Sequence, residues 1–150
     1  AYGVPVRIRC GANAPAELQL AIEETLGAGR IVMGDMDRRD VVAQGWPQDV
    51  SGAGAYVAID HVGSSDPDYL DDVARVALVA ELIEAGFADR ILLSSSATGV
   101  AFGVPGNDRH YSDLLTNFVP MLLKAGISQE HVDRILITNA AQLLSVIGEA

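Results

Sequence analysis

The sequence predicts an α/β fold, with parallel strands and helices alternating through a single domain over residues 1–150. Three observations lead there. Four times the chain repeats a short apolar strand, a loop and an amphipathic helix. Apolar residues make up 49% of the chain and aromatics only 5%, so the core is built mainly from Ala, Val, Leu and Ile, as suits an α/β protein. The strands also end in polar residues, and the C-terminal ends of parallel strands are where such folds place their chemistry.

The first strand is VPVRIRC, residues 4–10. Val6 and Ile8 alternate with Arg7 and Arg9, so both arginines face one side. Asn13 is suited to cap the next helix, with Pro15 in its first turn and Glu17 at its positive end. Leu18, Ala21, Ile22, Thr25 and Leu26 share one face of that helix. RIVMGDM, 30–36, is the second strand. The stretch over 37–54 is broken by Gly45, Pro47, Gly52 and Gly54 and predicts only short helices. YVAIDHV, 56–62, is the third strand. Neighbours on a strand face opposite sides, so His61 is expected behind the sheet, away from Asp60. A long helix over 68–85 follows, with Val73, Val76, Ala77, Ala80 and Ile83 inward. Its acidic start, DPDYLDD, suits the helix dipole without calcium. RILLSSS, 90–96, is the fourth strand. A glycine-rich loop over 97–110 leads to a helix carrying Leu114, Leu115, Phe118, Met121 and Leu122. Ser128 and Asn139 are candidate caps for two further helices.

The 20 acidic residues outnumber the 10 basic ones, for a net charge of -10 at pH 7. Such a surface repels phosphate backbones and anionic lipid, so neither nucleic acid nor a membrane is an expected partner. No run of about 18 uninterrupted apolar residues offers a membrane span. AYGVPVRIRC lacks the basic-then-apolar pattern of a signal peptide. Cys10 is the single cysteine, which excludes an internal disulfide and suits a reducing, cytoplasmic setting. Ser94, Ser95 and Ser96 have no identifiable base beside them and no G-x-S-x-G elbow, so serine catalysis is not expected. GVAFGVPGND, 99–108, lacks the Lys of a phosphate loop. His110 and His131 fall at helix starts and are expected in solvent.

GVPVRIRC, GRIVMGDMD, YVAIDHVG, DRILLSSS, LLTNFVPMLLKAGIS and ILITNAAQLLS, in that order and spacing, resemble the phosphotriesterase-like lactonases of the amidohydrolase superfamily. The resemblance runs over nearly the whole chain and corresponds to strands five to eight of that family's (β/α)8 barrel. It implies a (βα)4 half of a TIM barrel, with helices outside the strands. It also implies metal-assisted hydrolysis, in which two divalent metals such as zinc lower the pKa of a bridging water. The family's ligand positions on strands five, six and eight fall on Arg9, Asp35 and Ser96, and only Asp60 on strand seven still matches. Arg9 is a permanent cation and cannot ligate a metal. Serine is a poor zinc ligand and no base at neutral pH. The expectation is therefore no bound metal, no catalytic residue and no enzymatic activity. Arg7, Arg9, Asp35 and Asp60 remain as candidate binding residues, either as structural ion pairs or as a site for a small anion.

Four parallel strands with helices on the outside cannot close by themselves. Both edges would offer unpaired backbone groups. Two copies about a two-fold axis would join the fourth strand of one to the first strand of the other and complete an eight-stranded barrel. The leading expectation is an inactive half-barrel scaffold, engineered or degenerate, that self-assembles as a homodimer. The alternatives are a module binding a small anion at the barrel mouth, or residual metal-dependent lactonase or phosphotriesterase activity through Asp35 and Asp60.

Overall fold

A computed structural model describes residues 4–24, 27–95 and 110–145. Four strands, β1 (Val6–Arg9), β2 (Ile31–Gly34), β3 (Tyr56–Ile59) and β4 (Ile91–Leu93), form one sheet in sequence order. All three pairings are parallel, with Arg9 opposite Gly34, Val32 opposite Tyr56 and Ala58 opposite Leu92. Each strand is shorter than the stretch the sequence predicts for it. The sheet has the expected half-barrel order, and neither outer edge has a strand partner among the described residues.

Helix α1 (Ala14–Glu24) begins as the sequence predicts. Asn13 Oδ1 accepts from Ala16 N at 3.1 Å, and Glu17 reaches back to the backbone of Gly11 and Asn13. Gly45 and Pro47 split the next segment into α2 (Arg39–Ala43) and α3 (Trp46–Gly52), with Gly45 at a φ of 74° that suits glycine. Helix α4 (Asp72–Glu84) is capped by Asp71, which accepts from Ala74 N at 2.9 Å. Its inward face differs from the expected one. Arg75, Val76, Leu78, Val79 and Leu82 are buried, whereas Val73 is 73% exposed. The apolar pattern alone favours Val73. A buried ion pair of Arg75 rotates the helix instead.

The C-terminal part is a π-helical turn (Leu114–Phe118) leading into α5 (Val119–Lys124), then α6 (Gln129–Asp133), a second π-helical turn (Arg134–Thr138) and α7 (Asn139–Leu144). Phe118 and Leu122 are buried, while Leu115 is exposed. Ser128 caps α6, its hydroxyl accepting from His131 N at 3.2 Å. Asn139 does not cap a helix. It lies fully buried inside the helical run, and its Nδ2 donates to the carbonyls of Ala88 (2.9 Å) and Ile91 (2.8 Å). It thus ties α7 to the N-terminal end of β4. Thr25, Leu26, Ser96 and the loop over 97–109 fall outside the described residues.

The two sheet faces are packed differently. Ile31, Met33, Val57, Ile59 and Ile91 join the helix layer in the main core, together with Leu18, Val79, Leu82 and Phe118. Cys10 is buried there too. Val32, Tyr56, Ala58 and Leu92 form a smaller cluster on the other face, covered at the strand N-termini by Leu143 of α7. An apolar hollow of about 380 Å³ extends over this inner face. No helix among the described residues is long and apolar enough to cross a membrane.

Replacing Asn139 with Ala removes the bonds that the carbonyls of Ala88 and Ile91 accept from its amide, and a buried group left unsatisfied costs about 1–3 kcal/mol. The expected result in urea titration is a loss of about 2 kcal/mol or more, with an unchanged m-value. An Asn139→Ala protein as stable as its parent would remove the tie between α7 and β4.

Candidate functional site

The C-terminal ends of β1, β2 and β3 bring Arg7, Arg9, Asp35, Asp60 and His61 around one depression of about 470 Å³, with Ser94 and Ser95 on its rim. Alternation on β1 aims both arginines at this side of the sheet. Arg9 Nε donates to Asp35 Oδ2 at 2.5 Å, and Arg7 Nη2 pairs with Asp60 Oδ2. The two carboxylates are buried and the two guanidiniums reach over them from solvent, with side chains 53% and 73% exposed for Arg7 and Arg9. The pairing expected between the strands is present. It is a lid of cations over buried acids, not a buried pair.

Asp35 reaches the mouth by a backbone turn. Ile31 and Met33 face the helices, and strict alternation would send Asp35 after them. Instead Asp35 has a φ of 59°, the left-handed region that Asp tolerates better than most residues. Its N–H donates to Asp60 Oδ1 at 3.0 Å. Gly34, just before it, gives the Arg7 guanidinium its seat. A Cβ at that position would lie 2.5 Å from Arg7 Nη2.

His61 also departs from the expectation. β3 ends at Ile59, so the alternation that would send His61 behind the sheet has lapsed. The ring turns to the mouth, with Nε2 4.0 Å from Asp35 Oδ1 and Nδ1 3.7 Å from Asp60 Oδ1. Nδ1 also lies 3.2 Å from Asp37 Oδ1, and the His61 N–H donates to Asp37 Oδ2 at 3.2 Å. Tyr69 stacks on the imidazole with centroids 3.6 Å apart and planes at 25°.

Beneath His61 lies a buried ion pair that sequence patterns do not announce. Arg75 Nε donates to Asp37 Oδ2 at 2.7 Å, and Arg75 Nη1 donates to Asp72 Oδ1 at 2.7 Å. Arg75 and Asp37 are both fully buried. Two features of the chain hint at it: the second acid of MGDMD, and a lone cation inside the apolar helix DVARVALVAELIE. Burial pushes the Asp37 carboxyl up, but the bonds from His61 and Arg75 outweigh it and hold it below the ordinary carboxylate range. For Asp60 burial wins over the pull of Arg7, and its carboxyl is pushed up. Arg9 is pushed up chiefly by its bond to Asp35 and stays charged. Ser96, the candidate position on strand four, falls outside the described residues, and His110 is exposed at a distance in sequence from the mouth.

The family resemblance implies two divalent metals, and the donors can be tested for them. Carboxylate oxygens of Asp35 and Asp60 and a ring nitrogen of His61 all lie within 4.8 Å of one another. Arg7 and Arg9 already neutralise both carboxylates. A dication placed among them would face two guanidiniums that cannot deprotonate. The arrangement does not fit a two-metal centre.

Two outcomes follow from this geometry. Arg75→Met leaves Asp37 buried without its main partner and is expected to cost about 3–5 kcal/mol in urea unfolding. Because the folded Asp37 value is depressed, its contribution is present above the unfolded carboxylate value and is lost as pH falls through the folded value. The acid limb of the stability curve should flatten in Arg75→Met, and an unchanged limb would refute the pair. Gly34→Ala should unseat Arg7 and raise the Asp60 carboxyl further, read by carbon-13 NMR titration. An unaltered Asp60 titration would show that Arg7 does not need the glycine.

A model of the Phosphotriesterase family matches residues 1–144. The N-acetyltaurine hydrolase of Tetraodon nigroviridis is 32% identical over 158 residues, covering 95% of this chain and 44% of its own length. The human protein of the same name is 31% identical with the same coverage. The chain therefore spans about half the length of these curated relatives. Among solved structures, the phosphotriesterase homology protein of Escherichia coli, complexed with phosphate in its active site, superposes with a TM-score of 0.73. It is 26% identical over 94% of this chain and 48% of that one. A resiniferatoxin-binding protein from Rhodobacter sphaeroides shares the fold, with a TM-score of 0.79 at 19% identity. These findings overturn the expectation that the chain is not an enzyme, since the relatives that it matches over nearly its whole length are named as hydrolases. That expectation equates replaced ligand positions with lost chemistry, whereas two carboxylates and an imidazole still converge at the mouth. With four parallel strands in barrel order and a family model matched over residues 1–144, the chain belongs to the phosphotriesterase family.

Proposed function

We propose that this chain forms one half of a hydrolase barrel whose mouth cleaves an amide or ester that carries an anionic group. The observation that carries the reading is the convergence of Arg7, Arg9, Asp35, Asp60 and His61 on one depression at the strand C-termini. N-acetyltaurine, named for the relatives, joins an amide to a sulfonate, and the Escherichia coli neighbour holds phosphate in its active site. An exposed pair of guanidiniums suits anions of this kind.

His61 is the candidate base. The Asp37 carboxylate accepts at Nδ1, which leaves the Nε2 lone pair turned toward the depression. A water bound there gives a proton to Nε2 as its oxygen attacks the carbonyl carbon. The C–N or C–O bond then breaks, and the imidazolium returns the proton to the leaving group. The outer N–H groups of Arg7 and Arg9 stand where they can hold the anionic tail or the developing oxyanion. The test is release of primary amine from N-acetyltaurine and N-acetyl amino acids by the purified protein. His61→Asn is expected to lower kcat by on the order of 100-fold or more, with KM little changed. Absence of turnover on the whole panel, or full activity in His61→Asn, overturns the reading.

We infer that two copies close an eight-stranded barrel as a homodimer, β4 of one beside β1 of the other. The support is the apolar inner face and two sheet edges that have no strand partner among the described residues. Val6, at 43%, and Leu144, at 66%, are exposed beside that face. Sedimentation at micromolar concentration is expected to give a dimer whose melting temperature rises with protein concentration. A compact, cooperatively folded monomer would sink the homodimer.

A further inference from the structure

We propose that the guanidiniums of Arg7 and Arg9 stand in for divalent cations at the mouth, so that the native site excludes a metal that its acids and imidazole would otherwise attract. The inference concerns the same site as the hydrolytic reading. It is tested by metal content, and so fails or survives independently of turnover.

Three features support it. The first is the charge balance. Asp35 and Asp60 bring two negative charges, and Arg7 and Arg9 bring two positive ones in direct contact with them. Arg7 also approaches Asp35 at 3.9 Å, so the two pairs form one cluster. Unlike lysine or histidine, arginine stays charged across the accessible pH range, and no change of pH clears the site.

The second is the shape of the seat. Gly34 lacks the Cβ that would collide with Arg7 Nη2 at 2.5 Å and with Cζ at 2.7 Å. The guanidinium lies against the β2 backbone in a space that a side chain would fill. Asp35 at φ 59° turns its carboxylate back over that strand to meet Arg9. Backbone and side chains are both arranged around the two guanidiniums.

The third is the spacing of the possible donors. The oxygens of Asp35 and Asp60 and the ring nitrogen of His61 lie within 4.8 Å of one another. Zinc bonds to nitrogen and oxygen are about 2.0–2.2 Å, so small side-chain movements would gather this set on one ion. The guanidiniums neutralise the acids where such an ion would sit. Guanidinium donors also have a chemical consequence. Polarisation of a bound carbonyl or sulfonate at this mouth falls to hydrogen bonds from Arg7 and Arg9, which are directional and bidentate.

The experiment is zinc and manganese titration by calorimetry, with elemental analysis after dialysis, on the native chain and on Arg7→Gln/Arg9→Gln. The single variants Arg7→Gln and Arg9→Gln guard against misfolding of the double variant, and circular dichroism checks each fold. The expected result is no stoichiometric metal on the native protein. A folded glutamine variant should bind zinc at least tenfold more tightly than the native chain, and adding Asp60→Asn should abolish the gain. The lysine variant, Arg7→Lys/Arg9→Lys, keeps both charges and should still exclude metal. Stoichiometric zinc on the native chain overturns the proposal. So do folded glutamine variants, single or double, that bind zinc no better than the native chain.

Discussion

The buried pair between Asp37 and Arg75 organises this half-barrel. Neither residue is exposed to solvent, and an unpaired charge in such a place would be prohibitive. Helix α4 must therefore present Arg75 to the end of β2, whatever its apolar residues would prefer. Asp72, one turn earlier on the helix, takes a second edge of the guanidinium at 2.7 Å. The rotation leaves Val73 in solvent and sends Leu78, Val79 and Leu82 into the core. One ion pair thus sets the register of α4 against the sheet.

The same pair is the base of a polar column that rises from the core to the surface. Arg75 holds Asp37, and Asp37 holds both the backbone N–H and the ring of His61. His61 faces Asp35 and Asp60, and these meet Arg9 and Arg7 at the rim. Arg75 neutralises Asp37, and Arg9 and Arg7 neutralise Asp35 and Asp60, so each of these buried carboxylates has a guanidinium neighbour. Tyr69 fixes the imidazole from the side, and its loop is sewn to the neighbouring one. Leu70 N donates to the Asp37 carbonyl at 3.0 Å, and Arg39 N donates to that of Asp68 at 2.9 Å. Asp37 and Tyr69 therefore hold the imidazole in position.

Around this column the inner face is apolar. Val32, Ala58 and Leu92 lie below the mouth, with Leu143 of α7 beneath them. Asn139 locks α7 in that place by bonding to the two ends of the turn that precedes β4. The described structure is thus covered at the strand N-termini, charged at the C-termini and open at both edges. That asymmetry separates stability at one end from chemistry at the other, as in barrels generally.

Much of the fold is legible in the chain. Short apolar runs locate the four strands, and period-two alternation gives Arg7 and Arg9 a common face, because successive side chains of a pleated strand point to opposite sides. Asn13 and Ser128 mark helix starts through bonds made within a few residues. The helix breaks at Gly45 and Pro47 follow from backbone chemistry alone. The strand-end pattern points to the family and to the candidate residues Arg9, Asp35 and Asp60. The loss of hydrolytic identity inferred from replaced ligands does not survive comparison with the relatives. What the sequence cannot decide is where alternation stops. It places His61 behind the sheet only by extending β3 past Ile59, and Asp35 comes to the mouth through a left-handed backbone that periodicity does not foresee. Arg75 has no evident role in the sequence, because a single charge in an apolar helix is costly to bury until its partner is known. That partner, Asp37, is 38 residues away in sequence. Local patterns determine the elements, since their causes lie within a turn or a pleat. The site is decided by tertiary structure, since its charges are paired only across the loops that the fold brings together.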